Sequence, residues 1–175
     1  MKKLTLFFVS FFIILLVFGQ TSKKFTGILQ AQANITIYDR FVDLNKSGPS
    51  LGLQIRYKAA KKIKLQFDLN ANAFGGVKIL LLFEDGTVVP SKEFVLTSFA
   101  GVVYSPHPNI ELGISAGPSF WGNVIHLGTK PSIGVYLNKK KSVKSFIALT
   151  HIYQRDRDSN KSFGFISTGL GIKIF

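Results

Sequence analysis

Apolar and polar side chains that alternate with a period of two mark a strand whose two faces meet different surroundings, and five segments of this chain do so almost without interruption. In residues 26–38 the odd positions carry Gly27, Leu29, Ala31, Ala33, Ile35 and Ile37, and the even ones include Gln30, Gln32, Asn34 and Thr36. Residues 49–58 set Leu51, Leu53, Ile55 and Tyr57 against Ser50, Gln54, Arg56 and Lys58. Residues 62–73 set Ile63, Leu65, Phe67 and Leu69 against Lys62, Lys64, Gln66, Asp68, Asn70 and Asn72. Over 109–120, Ile110, Leu112, Ile114 and Phe120 oppose Glu111, Ser115 and Ser119, and over 130–138, Ile133, Val135 and Leu137 oppose Ser132, Tyr136 and Asn138. Three noisier segments share the period. One places Phe94, Leu96, Ala100, Val102 and Tyr104 on one face, the next Val143, Ile147, Leu149 and Tyr153, and residues 162–175 form the last. Most of these eight strands approach the roughly 9–11 residues that cross a bilayer when tilted.

The connections between them alternate in length. Short turns fall at 59–61, 105–108 and 139–142, and longer, more polar links at 39–48, 74–92, 121–129 and 154–161. Three short turns and both termini then lie on one side and four long loops on the other, the arrangement of a transmembrane barrel. The expected fold is therefore all-β: an eight-stranded antiparallel up-and-down transmembrane β-barrel. In the second long link Val77, Ile79, Leu81 and Phe83 continue the apolar parity past Gly75-Gly76, and Asp85-Gly86 offers hairpin chemistry. Strands three and four are expected to protrude as a ribbon with a bend or bulge at Gly75-Gly76.

A length of 175 residues favours one domain, and the chain opens with Met1-Lys2-Lys3 and an apolar stretch from Leu4 to Phe18. This pattern predicts a secretory signal peptide over residues 1–19 and a mature barrel over 20–175. There is no cysteine, which excludes disulfides, thiolate metal sites and cysteine nucleophiles. After Gln20 the longest apolar run is Ile79 to Phe83, far short of a membrane helix, so entry into a membrane would be as a closed sheet.

Which face points inward is decided by what each face tolerates. With the polar row inside, eight strands leave a lumen just wide enough to be filled by side chains. Arg56, Lys64, Glu111, Lys144 and Lys173 would share the half nearest the short turns, with Asp68 nearer mid-depth. A buried carboxylate without a partner is costly, so Glu111 is expected to contact at least one of those four cations. Tyr57 and Tyr104 at one level, and Phe94, Phe120, Trp121 and Tyr153 at the other, would form interfacial girdles. The opposite assignment, with the apolar row inside, describes a lipocalin-like periplasmic carrier of lipid or a small ligand.

No catalytic, cofactor-binding or metal-ligating residue is assigned. His107 lies between two prolines, His126 in a long link and His151 along the seventh strand, none with a partner at ligand spacing. Eight-stranded membrane enzymes that deacylate lipid A carry a serine two residues after a histidine. Here His126-Leu127-Gly128 and His151-Ile152-Tyr153 depart from that pattern, which leaves a lipid-modifying enzyme as the third reading. Gly164, Gly169 and Gly171 lie in a strand and suit close backbone packing better than a phosphate loop. The formal charge is +13, with Lys139, Lys140, Lys141 and Lys144 at a short turn and Arg155, Arg157 and Lys161 interleaved with Asp156 and Asp158 in a long loop. Basic residues spread among strands of an exported chain are a poor fit to nucleic acid. Guanidinium groups in an outer loop match the phosphates of lipopolysaccharide, and solvated loop charge explains them slightly better.

The stretch from Gly113 to Phe120, Gly-Ile-Ser-Ala-Gly-Pro-Ser-Phe, and the closing Gly169-Leu170-Gly171-Ile172-Lys173-Ile174-Phe175 follow a signal that ends before Gln20. In these the chain resembles the small outer-membrane β-barrel domains abundant in Bacteroidetes, with OmpA/OmpX-like architecture. The resemblance implies a monomer in the bacterial outer membrane, in contact with its lipid and lipopolysaccharide. It implies a structural, adhesive or surface-interaction role through the long loops, and no enzymatic activity or cofactor. It also implies recognition by the barrel-assembly machinery through a terminal aromatic, here Phe175. Leu170, Ile172 and Ile174 share a face that excludes Phe175, so either the last residue turns out at the rim or the eighth strand carries a bulge.

Overall fold

The computed structural model describes residues 24–38, 47–79, 88–122, 124–153 and 162–175. Eight strands follow one another: β1 (Phe25–Tyr38), β2 (Ser47–Lys58), β3 (Ile63–Ile79), β4 (Val88–His107), β5 (Ile110–Trp121), β6 (Val124–Tyr136), β7 (Val143–Tyr153) and β8 (Ser162–Lys173). Each pairs antiparallel with the next and β8 pairs with β1, so the sheet closes into a barrel. The predicted fold class holds. The signal-peptide reading of 1–19, the Asp85-Gly86 turn and most of the links at 39–48 and 154–161 lie outside the described residues.

The polar row faces inward. Gln54 on β2 is 4 % exposed while Leu51 on the same strand is 65 % exposed, and the same alternation runs through every strand. Leu29, Leu65, Phe67, Ile114, Ile125, Ile147 and Leu170 all stand on the outer surface. A soluble monomer seldom exposes a contiguous apolar patch beyond a few hundred Å²; here an apolar belt encircles the barrel. The lipocalin-like assignment, which needs the reverse, does not describe this fold.

Two details differ from the sequence-based expectations. Residues 124–129 are strand, so the expected long link at 121–129 is a tight connection through Gly122, whose φ of 59° lies in the left-handed region that glycine tolerates. Ile125 and Leu127 share the parity of Ile133 and Val135, and β6 extends back through them. Pairing of β3 with β4 does continue to Ile79↔Val88, as a ribbon requires, but Gly75↔Lys92 and Gly76↔Ser91 keep the register of the rest, so no bulge occurs there. Register shifts instead beside Pro106, between Tyr104 and His107, where the missing prolyl N–H cannot serve the ladder.

For the terminal aromatic, the second of the two expected alternatives holds. Ile174 N–H donates to Gly27 O at 2.9 Å, and Gly27 N–H donates to Phe175 O at 3.1 Å. Two residues thus oppose one, the hydrogen-bond pattern of a bulge. The extra residue brings the Phe175 ring to the outer face, over Gly27, in the space a Cβ on that residue would fill.

Candidate functional site

The lumen is where the sequence concentrates ionisable groups, and strand parity positions them. Glu111, second residue of β5, projects inward and is 3 % exposed. Arg56 on β2 donates from Nη1 to Glu111 Oε2 at 2.7 Å, and Lys64 on β3 donates from Nζ to Oε1 at 2.6 Å. Lys144 on β7 stands 3.8 Å from Oε2. Tyr136, the last residue of β6, donates its hydroxyl to Oε1 at 3.1 Å and accepts from Arg56 Nη1 at 3.1 Å. One carboxylate therefore ties together β2, β3, β5, β6 and β7, which lie on different sides of the barrel. Three of the four expected cations are there. Lys173 is not: it is exposed at the rim, where β8 ends and the bulge begins.

Above this cage the polar network continues through amides. Lys144 Nζ donates to Gln54 Oε1 at 3.2 Å, and Gln54 Nε2 donates to Asp68 Oδ1 at 2.6 Å. Gln66 Nε2 reaches Asp68 Oδ2 at 3.1 Å. Next come Gln32 to Asn70 at 2.7 Å and Asn34 to Asn72 at 3.1 Å. Such a threaded chain suits a low-dielectric interior, where each amide left unbonded would be costly. A cavity bordered by Asp68, Glu111, Lys130 and Lys144 has room for water and little more. Lys130 is itself a buried inward-facing cation that the sequence-based cage omitted, although it shares the parity of Ser132 and Gly134.

The polar description does not extend to the whole lumen. Val95 and Phe99 on β4, Phe146, Ala148 and Ile152 on β7, and Phe163 and Phe165 on β8 are buried inside the barrel. Near the end away from the short turns Phe74, Val95, Ile152, Phe163 and Phe165 form an apolar cluster, with Trp121 packed against it. Its rings meet edge-on or tilted: Phe74 to Phe163 at 5.3 Å, Phe74 to Phe165 at 5.1 Å and Trp121 to Phe163 at 4.8 Å. Trp121, expected in a girdle, points inward instead and donates from Nε1 to Glu93 Oε2 at 3.1 Å. It adjoins the outward Phe120, so parity already required this. The apolar inward residues of β4, β7 and β8 are the reason those strands looked noisy.

The histidines stay apart. His107 is at an exposed short turn, His126 lies opposite Ser119 within β6 and not in a link, and His151 on β7 packs its ring edge-on to Tyr153 at 4.2 Å. Among the described residues no three of His, Cys, Asp and Glu are grouped as a metal would need.

A closed eight-strand antiparallel barrel with an apolar belt outside and charges inside defines the class of small outer-membrane β-barrels. No family model and no curated protein matches the sequence. Solved structures do match in fold. The attachment invasion locus protein Ail of Yersinia pestis superposes with a TM-score of 0.59 at 12% identity, over 87% of this chain and 100% of that one. Neisserial surface protein A gives 0.55 at 14% identity, over 85% and 96%. The outer membrane protein OprG of Pseudomonas aeruginosa gives 0.54 at 12% identity, over 86% and 96%. At such identities the likeness is one of fold, and function has to be argued from the site.

Proposed function

We propose that this chain is a non-enzymatic integral protein of the bacterial outer membrane, of the small Bacteroidetes-type barrel kind, that acts at the cell surface as a structural or adhesive element. The observation that carries membrane insertion is the continuous outward apolar belt around a charged interior, an arrangement that is stable only with lipid outside. The surface role rests on the β3–β4 ribbon. At the long-link end β2 pairs with β3 as far as Gly75 and β5 pairs with β4 as far as Val95, while β3 and β4 pair on to Ile79 and Val88. Backbone hydrogen bonding beyond the neighbouring strands makes a stiff projection suited to contacting another surface. The names of two fold neighbours, an attachment protein and a surface protein, fit the same role. A lumen packed with side chains at both levels favours this reading over a porin-like one. Export by a signal peptide, recognition of the outward Phe175 by the assembly machinery and a monomeric state belong to the proposal.

The test is fractionation of the expressed protein with heat-modifiable electrophoresis, followed by surface labelling of a Ser91→Cys variant, whose single thiol stands in the ribbon. Insertion gives a detergent-extracted band whose migration shifts on boiling, and intact cells carrying the variant take up the label. A detergent-free soluble band sinks the reading.

A further inference from the structure

The net positive charge of the chain is concentrated at one rim. At the short-turn end Lys24 and Lys58 sit side by side, the Lys58 N–H donating to Lys24 O at 2.8 Å, and Lys61 and Lys62 follow in the β2–β3 turn. Across the β8–β1 seam Lys173 N–H donates to Ser142 O at 2.8 Å, beside the β6–β7 turn that carries Lys139, Lys140 and Lys141. All eight of these lysines are exposed. Because β8 pairs with β1, they form an arc over six of the eight strand ends, from β6 round to β3, with a gap only at the β4–β5 turn. Among the described residues the acidic side chains lie elsewhere: Asp68 and Glu111 are buried in the lumen, and Glu93 lies at the opposite end against Trp121. The links at 39–46, 80–87 and 154–161, which join strands at that opposite end, hold six acids and five bases by sequence and so are nearly neutral.

Height on the barrel identifies the partner. Lys24 precedes Phe25 and Lys58 follows Tyr57, two outward rings 5.2 Å apart. Lys62 precedes the outward Ile63, and Lys173 lies between the outward Ile172 and Ile174. Lys24, Lys58 and Lys62 thus each sit one residue beyond an outward apolar side chain at the edge of the belt, from which a lysine stem can carry its charge to headgroup level.

We infer that this arc is a binding collar for the anionic phospholipid headgroups of the leaflet at the short-turn end. The inference rests on the membrane reading above. A lysine close to an anionic bilayer surface is worth about 1 kcal/mol, and several such lysines on one rim act together. The collar would gather an annulus of acidic lipid and fix the depth of the barrel.

The experiment uses the full protein in nanodiscs of phosphatidylcholine and phosphatidylglycerol at 7:3, with spin-labelled forms of each lipid reporting the immobilised annulus. The wild type is expected to prefer phosphatidylglycerol about threefold or more. A variant with Lys58, Lys61, Lys62, Lys139, Lys140 and Lys141 changed to Gln is expected to lose the preference. A control with Arg40, Lys46, Arg155, Arg157 and Lys161 changed to Gln is expected to keep it. Heat-modifiable migration establishes that each variant is folded. No preference in the wild type, or an equal preference in the collar variant, overturns the inference. Collar-dependent binding of soluble polyglutamate to discs of phosphatidylcholine alone, without enrichment of phosphatidylglycerol, also overturns it and reassigns the arc to a soluble acidic polymer. A chain that stays soluble and enters no disc overturns the membrane reading and the collar together, and its lack of incorporation distinguishes that failure from the others.

Discussion

At the short-turn end of the lumen Glu111 gathers Arg56, Lys64, Lys144 and Tyr136 around one carboxylate. At the other end Phe74, Phe163, Phe165 and Trp121 meet ring against ring. Glu111 and Trp121 share strand β5, ten positions and roughly 34 Å apart along it. The charged end is held by directional contacts that cross the barrel and fix which strands oppose one another. The aromatic end excludes water by filling volume and needs no specific partner for any one ring. Two ways of filling the same cylinder thus coexist, ion pairing beneath a rim of exposed lysines at one end and ring packing at the other.

The largest expected effect comes from breaking the charged end. Glu111→Gln leaves Arg56, Lys64 and Lys144 without their shared anion, and loss of one partner from a buried pair costs about 3–5 kcal/mol. The measurement is the guanidinium midpoint in detergent micelles, and replacing Arg56 by Met in the same chain should recover part of the loss. Phe163→Ala at the aromatic end should cost about 3 kcal/mol through the cavity it leaves. It should also open the mouth. The chain has no cysteine, so Thr150→Cys, buried just below Ile152, provides a single reporter. A small thiol reagent should reach it in the Phe163→Ala background and not in the Glu111→Gln background. Equal labelling in both would mean that the two ends are not separate closures.

A smaller effect is expected at the seam between β1 and β8. Gly27→Val places atoms where the Phe175 ring lies, and overpacking of this kind costs about 1–3 kcal/mol, read from the same denaturation curves. Smallest is the coupling between ends. With no shared partner, Glu111→Gln and Phe163→Ala should add to within about 0.5 kcal/mol, and a larger interaction energy would show that the lumen responds as one unit.

Much of this was legible in particular residues. The row from Lys62 to Asn72 could occupy only one face, and the fate of Glu111 followed from the cost of burying a carboxylate alone. Trp121 and Lys130 were legible as well, since parity with their strand neighbours places both inside. Lys173 was not, because parity puts it inward and only the end of pairing at the rim leaves it in solvent.

The sequence by itself determined the period, the number of strands, their faces and the sign of the charge, because these are local properties of neighbouring side chains. Tertiary structure decided which inward residues meet. Tyr136 reaches Glu111 from the adjacent strand, Phe74 meets Phe163 from β3 to β8, and Phe175 finds Gly27 only because the sheet closes on itself. Such contacts depend on register and closure, which are set by all eight strands at once, and no single segment carries that information.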